Sequence, residues 1–483
     1  MTVESGYWSD LLGAPRVLPE QSVSIEAALA SGHPSLIAQA SVQAAHHAEP
    51  AMATCAFVLA QHGPYNSAIC AVAAALGALV DHEGPRAALP LARAMDTVAA
   101  QLRTPAAADI ASAQPDDSLS SSVQSQSLAG VAGWIEKALE GRTLQELEDE
   151  LIDALYANAG TTAHLAPIVV AAIEVARVAK PKQARVILGG AAQALACRQS
   201  PLPEEARELV AGLSEVAADL WARQDPAKAS AFQEARFRPH LIGANPTIQI
   251  KALTKAVAFG VPRSLIADSL SIGAAQRLLH FDPSHARSVR TPEGWLDMGW
   301  LLQVAVATRK LLLLREQPLW LSLLGHVVVM LGASSALETA QVEPLPEPQT
   351  ADRNWDHGPQ IAQVTGAMLA ADAPRAMAAL RGYLLMVLPE QPLCAGLISA
   401  VLEDRAATAH EQGHLLSCLS AALEAFSGCG NLAHREILPC AAIRLFVHLM
   451  SQRPVYQLTH GLVDQIEGAK SVAGTPCLPW LVR

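Results

Sequence analysis

The sequence has few aromatic residues, few charged residues and no cluster of basic side chains. Aromatic residues make up 4% and charged residues 16% of the 483 positions, whereas hydrophobic residues make up 51%. An apolar content this high excludes disorder as the main state of the chain. The 34 Lys and Arg against 45 Asp and Glu give a net charge of −11. We therefore expect neither nucleic acid nor an anionic membrane surface as a partner.

Signals for export are also missing. Residues 1–20 do not contain a basic stretch followed by an apolar run, and the eight cysteines form no Cys-x-x-Cys pair. These features disfavour a signal peptide and a disulfide framework. Residues 317–337 carry no formal charge and are long enough to span a bilayer, but Pro318, Ser322 and His326 favour a buried helix instead. The prediction is a cytoplasmic protein with no membrane partner.

Sequence motifs for nucleotide cofactors are absent. The chain has no Gly-x-Gly-x-x-Gly that opens a helix, no P-loop, no Gly-x-Ser-x-Gly and no cluster of cysteines with iron–sulfur spacing. We therefore expect no NAD, no ATP and no iron–sulfur cluster.

The composition and periodicity predict helices. Residues 144–159 place Leu144, Leu147, Leu151 and Leu155 at the spacing of one helical face. Residues 246–261 and 262–281 both begin at a proline, which a first helical turn tolerates. No segment alternates for long enough to require a strand. The predicted fold is all-α, with antiparallel helical pairs packed into a large body around a central pocket.

Two stretches have the composition of linkers. Residues 104–127 are rich in Ser, Pro, Ala and Asp without an apolar period, and residues 340–357 hold three closely spaced prolines. These stretches divide the chain into an N-terminal helical region (1–103), a middle helical body (128–339) and a C-terminal helical region (358–483).

Histidines in apolar helical contexts carry the functional signal. They are His47 (with its neighbour His46), His164, His326, His410 and His414. A buried imidazole needs a partner, because leaving it unpaired costs about 1–3 kcal/mol. For any one of them, a hydrogen bond to a carbonyl in the core is the ordinary explanation. Several packed helices together, however, can direct their imidazoles at one metal ion.

Residues 410–414 read His-Glu-Gln-Gly-His. On a helix, His410 and His414 share one face, and Glu411 between them is placed as general base toward a metal-bound water. Glu436 is a candidate third ligand. The extended motif of many zinc peptidases is absent, so a zinc hydrolase is an alternative prediction.

Four stretches resemble a helical family. AHHAEPAMATCAFVLAQHG, TAHLAPIVVAAIEVA, residues 234–314 and AHEQGHLLSCLSAALEAF are similar to segments of questin-oxidase-like proteins and of Rieske-associated helical proteins. The resemblance covers most of residues 40–460, and residues 232–314 are its most specific part.

This resemblance implies a non-haem iron site that activates dioxygen. The matching metal ligands are His47, His164, His326 and His414, with His410 as a replacement for a lost ligand. Since no Rieske domain is present, the electrons would come from the substrate or from a separate electron donor.

The prediction is a metal-dependent oxygenase of specialised metabolism that uses Fe(II) and dioxygen on a hydrophobic or aromatic intermediate. A non-catalytic helical scaffold with a decayed metal site is a second alternative. It is suggested by Trp300 and Ser417, which stand where the resembling proteins tend to have His and Lys.

Overall fold

A computed structural model describes residues 22–451 of the chain. Short gaps lie at 83, 104–117, 140, 198–201, 223–231, 286–292, 316–318, 340–343, 350–355, 404–407, 431 and 433. All longer elements in the described residues are helices, joined by short 3-10 turns and one isolated bridge between Phe281 and Glu338. The prediction of an all-α fold is confirmed.

The α-helices of the described residues follow in chain order: α1 (Ile25–Ser31), α2 (Pro34–Ala44), α3 (Ala48–His62), α4 (Ala68–Ala78), α5 (Ala88–Leu102), α6 (Leu119–Gln124), α7 (Leu128–Leu139), α8 (Leu144–Ala157), α9 (Ala159–Thr162), α10 (Ala166–Val178), α11 (Pro181–Cys197), α12 (Glu204–Ala222), α13 (Glu234–Leu241), α14 (Pro246–Ala258), α15 (Arg263–His280), α16 (Trp295–Leu314), α17 (Trp320–Ala333), α18 (His357–Leu369), α19 (Ala373–Leu385), α20 (Glu390–Leu402), α21 (Ala409–Gly428) and α22 (Ile437–Ser451).

Local sequence signals explain where several helices begin. The Thr143 hydroxyl accepts a hydrogen bond from the Glu146 N–H, and the Glu146 carboxylate accepts one from the Thr143 N–H, which caps α8. Asn245 caps α14 in a similar way just before Pro246. These helices lie where the periodicity predicts them.

Helices from all three predicted regions share one core. The main cluster of buried apolar side chains extends from Ala28 to Met450, and neighbours along the chain, such as α4 and α5 or α15 and α16, pack against each other. Part of the first predicted linker, 104–117, lies outside the described residues, but Leu119–Gln124 forms α6 with Leu119 and Val123 buried. Ser118 caps this helix, so a Ser-rich sequence here starts a packed helix.

Four helices from different parts of the chain meet in the core. The α16 helix packs against α10, α15 and α21, and α4 packs against both α10 and α21. The α4, α10, α16 and α21 helices thus surround a pocket, and the first residues of α16 and α21 lie at the candidate site.

Two helical stretches are apolar and long enough to cross a membrane. They are Ala159–Val178 and Trp320–Leu337, and 83% and 78% of these windows are buried inside the protein. Most of each window therefore contacts other parts of the protein.

Candidate metal centre and adjoining pocket

A capped helix start fixes the positions of two histidines. Thr408 precedes α21, and its hydroxyl accepts a hydrogen bond from the Glu411 N–H at 3.1 Å, while the Glu411 carboxylate accepts one from the Thr408 N–H at 3.2 Å. His410 and His414 follow on one helical face, with ring centroids 4.7 Å apart. The Glu411 carboxylate is engaged in the cap, so this geometry does not present it as the general base of a zinc hydrolase.

Glu293 supplies a third donor from the turn before α16. Gly294 follows it with φ of 63°, a left-handed conformation that glycine adopts without strain. The Glu293 N–H donates to the Asp297 carboxylate at 2.9 Å. Glu293 Oε2 lies 3.6 Å from His410 Nε2, and the ligand atoms of Glu293, His410 and His414 all lie within 4.8 Å of one another.

This triad is open on one side and buried on the other. The side chains of Glu293 and His410 are 54% and 44% exposed, whereas His414 is 6% exposed and its Nδ1 has no hydrogen-bond partner among the described residues. Burial, and secondarily the neighbouring His410, lower the pKa of His414 to about 4, with Glu293 acting in the opposite direction. His414 is therefore neutral near pH 7, which is the form that binds metals.

The donor set fits a divalent transition metal. Two imidazoles and one carboxylate with open positions are typical of non-haem Fe(II) sites, and zinc accepts the same ligands. Within the described part of the chain, no other group of three or more His, Cys, Asp or Glu donors lies this close together.

His164 and His326 form a second, deeper pair. Their rings are nearly parallel, with centroids 6.2 Å apart. His164 lies in the 3-10 turn before α10, and His326 lies in the middle of α17 with no exposed surface. No third donor joins this pair among the described residues, so it lacks the ligand count of a metal site.

Burial of His326 has a consequence for stability. Burial, followed by the charge of His164, lowers the pKa of His326 to about 3, and the Ala159 carbonyl only partly opposes this. In the unfolded chain the imidazole pKa is about 6.5. The unfolded state therefore binds more protons below pH 6.5, and the stability associated with the neutral ring is lost as the pH falls toward 3.

We expect His326→Leu to flatten the dependence of stability on pH. One proton taken up on unfolding contributes at most about 1.4 kcal/mol per pH unit, and leucine removes that contribution while filling a similar volume. The free energy of unfolding, measured with urea at pH 6.5, 5.5 and 4.5 in chelator, should fall less steeply in the variant. Equal slopes in both proteins would contradict this account of His326.

Trp300 lies between the two histidine pairs. Its Nε1–H donates to the His164 carbonyl at 3.1 Å, and its ring meets the His414 ring edge-on with centroids 5.9 Å apart. Among the described residues, the structure does not bring His164, His326 and His414 into one close donor group.

Two other predicted ligands lie elsewhere. His47, like His46, is exposed in the 3-10 turn between α2 and α3 and belongs to no close donor group among the described residues. Glu436 lies in a separate groove with Arg381 and Phe426. Glu293, which the sequence analysis did not select, is the third member of the close donor group with His410 and His414.

A pocket of about 300 Å³ adjoins this region. Its small side chains come from all four surrounding helices, and its polar groups include Gln303, Ser417 and Ser420; other lining residues are Ala73, Gly77, Pro167, Val170, Ala307 and Ala421. Ser417 follows His414 by three residues and donates to its carbonyl at 3.1 Å. The walls are rich in alanine and other small side chains.

Charged side chains stand at one end of the pocket. Lys310 Nζ lies 2.6 Å from Glu174 Oε1 and 2.5 Å from Glu424 Oε2. This ion pair joins α10, α16 and α21. The pocket therefore has a charged end at Lys310 and a neutral polar end at Gln303, on the same face of α16.

Comparison of the chain with protein-family models, with curated proteins and with solved structures finds no match. The resemblance to the questin-oxidase-like family stays a prediction.

Proposed function

We propose that the protein is a metal-dependent oxygenase that holds Fe(II) through Glu293, His410 and His414. The proposal depends on one observation: two imidazoles and one carboxylate have ligand atoms within 4.8 Å of one another. Two imidazoles and one carboxylate leave coordination positions open on iron, which is the arrangement that oxygen-activating Fe(II) sites use.

The residues of the triad have different tasks in this proposal. His414 is the fixed ligand, because it is buried and on a capped helix, whereas the exposed Glu293 and His410 face the side open to solvent. Bound iron would supply the activation of dioxygen. The adjoining pocket would hold a hydrophobic substrate one turn of α21 away from His414. Oxygenation with release of one water requires two electrons, from the substrate or from a separate donor.

Nitric oxide provides a test that needs no substrate. Apoprotein is loaded anaerobically with one equivalent of Fe(II), exposed to nitric oxide and examined by electron paramagnetic resonance. We expect the spin-3/2 signal of a non-haem iron nitrosyl at about one spin per chain, because the triad leaves a position free for a diatomic ligand. Protein that gives no such signal with bound or added iron would overturn the oxygenase proposal.

The zinc alternative shares His410 and His414, has Glu436 as its candidate third ligand and needs Glu411 as a base. The Glu411 carboxylate accepts its hydrogen bond from the Thr408 N–H in the helix cap, so the structure offers no observation that favours hydrolysis over oxygenation. Protein that binds neither iron nor zinc would leave the helical scaffold as the explanation.

A further inference from the structure

One member of the candidate metal triad, Glu293, lies just outside a helix. Only Gly294 separates it from Trp295, the first residue of α16, so its backbone is not fixed by the hydrogen bonds within that helix. A side chain supplies the acceptor instead: the Glu293 N–H donates to the Asp297 carboxylate at 2.9 Å. The Gly294 N–H also favours the charged form of this carboxylate. Asp297 thus interacts with two consecutive backbone groups.

The local sequence explains this arrangement. Asp297 is the third residue of α16, and an acidic side chain at this position can reach back to the N–H groups that precede the helix. Gly294 has φ of 63° and ψ of −114°, a combination that glycine adopts without strain. The glycine therefore turns the chain at this point, and the Asp297 carboxylate holds the turn that carries Glu293.

This turn places a carboxylate beside two histidines of another helix. Glu293 Oε2 lies 3.6 Å from His410 Nε2, and the close donor group consists of Glu293, His410 and His414 without Asp297. The contact between Asp297 and the metal centre therefore runs through the backbone of Glu293, whose side chain is 54% exposed. An exposed side chain loses conformational entropy when it binds a metal, and a backbone that is already fixed reduces this cost.

We propose that Asp297 is a positioning residue of the metal centre: its hydrogen bond to the Glu293 N–H keeps the Glu293 carboxylate in place for a metal bound by His410 and His414. The inference rests on the metal site of the proposed function, but not on the activation of dioxygen. Loss of an outer-shell partner of a metal ligand commonly costs 10–100-fold in affinity. Asp297→Ala should therefore weaken metal binding about tenfold.

Titration of the full chain with Co(II), followed by its visible absorption and by competition with a chelator, tests the proposal. Co(II) accepts imidazole and carboxylate ligands, so it reports the metal centre without oxygen chemistry. Glu146→Ala is the matched control, because Glu146 is also the third residue of a helix and accepts a hydrogen bond from the Thr143 N–H at 2.8 Å. Both alanine variants should lower the Tm, but only Asp297→Ala should lose Co(II) affinity.

Two further variants separate positioning from direct ligation. Asp297→Asn retains an oxygen that accepts the Glu293 N–H, so it should recover most of the affinity that Asp297→Ala loses. In a Glu293→Ala background, Asp297→Ala should cause no further loss, because two residues that act through one contact are not additive. A direct ligand at Asp297 would lose affinity in Asp297→Asn as well and would add its loss to that of Glu293→Ala.

The positioning role fails if Asp297→Ala keeps full Co(II) affinity, if Glu146→Ala loses as much, if Asp297→Asn is as weak as Asp297→Ala, or if the losses of Asp297→Ala and Glu293→Ala add. Wild-type protein that binds neither Co(II) nor Fe(II) would reject it together with the metal centre. The expected Co(II) affinities in a protein without an iron nitrosyl signal would support the positioning role and reject the oxygenase. A nitrosyl signal with full affinity in Asp297→Ala would reject the positioning role alone.

Discussion

Replacement of His414 by alanine is expected to weaken Fe(II) binding by about 100-fold or more. Loss of an outer-shell partner of a metal ligand commonly costs 10–100-fold in affinity, and a direct ligand should cost at least as much. His414 is also the buried member of the triad, so water replaces it less easily than it replaces the exposed members. Anaerobic competition with a chromogenic chelator measures the dissociation constant.

A series of variants makes this prediction specific. His410→Ala and Glu293→Gln should weaken Fe(II) binding in the same direction, since each removes one donor of the triad. His47→Ala should have no effect, because His47 is exposed and outside the group. Glu411→Gln should also leave affinity unchanged, because the Glu411 side chain serves the helix cap. A strong loss on His47→Ala, with normal binding by Glu293→Gln, would favour the ligand set implied by the family resemblance.

Replacement of Arg277 by methionine is expected to lower the free energy of unfolding by about 3–5 kcal/mol, the cost typical of breaking a buried ion pair from one side. Arg277 is buried on α15. Its guanidinium donates to the carbonyls of Ile242 and Leu331 and lies 2.5 Å from Glu338 Oε2. Methionine fills much of the volume but leaves the two carbonyls without their donor and the Glu338 carboxylate with His280 as its remaining partner.

The carboxylate that remains explains why this change should be costly. Burial alone would raise the pKa of Glu338, but hydrogen bonds from His280 and Arg277 outweigh burial and hold the pKa below its usual value. Urea unfolding followed by circular dichroism measures the loss. Arg236→Met, at an exposed position of α13, is the matched control and should change stability by less than about 0.5 kcal/mol. Equal losses in the two variants would show that the Arg277 contacts contribute little.

The sequence predicted the helices well, because the apolar spacing and the proline starts that indicate a helix lie within a few residues of one another. The face of α8, the proline starts near α14 and α15, and the buried helix around His326 all lie where the sequence places them. The packing of helices from the three predicted regions into one core leaves no such local signal, because it depends on residues that are distant in sequence. The Ser-rich stretch around Ser118 could be read in two ways, because serine is favoured both at the N-cap of a helix and in a linker.

The candidate site was predicted only in part, because a sequence pattern indicates contacts between neighbouring residues and not contacts made by tertiary packing. The i, i+4 spacing of His410 and His414 is a local pattern, and the structure places both rings together. Glu293 is distant in sequence and follows no motif with them, so only tertiary packing brings it close. His46 and His47 could not be oriented from sequence, because the 3-10 turn that exposes them interrupts the helical period.

Anomalous X-ray scattering at the iron absorption edge, from crystals of the Fe(II)-loaded protein, tests the central claim most directly. The account predicts one anomalous peak among Glu293, His410 and His414, at about 2.0–2.2 Å from their ligand atoms, as is usual for divalent metals with nitrogen and oxygen ligands. A peak between His164 and His326, or no ordered iron in the protein, would contradict it.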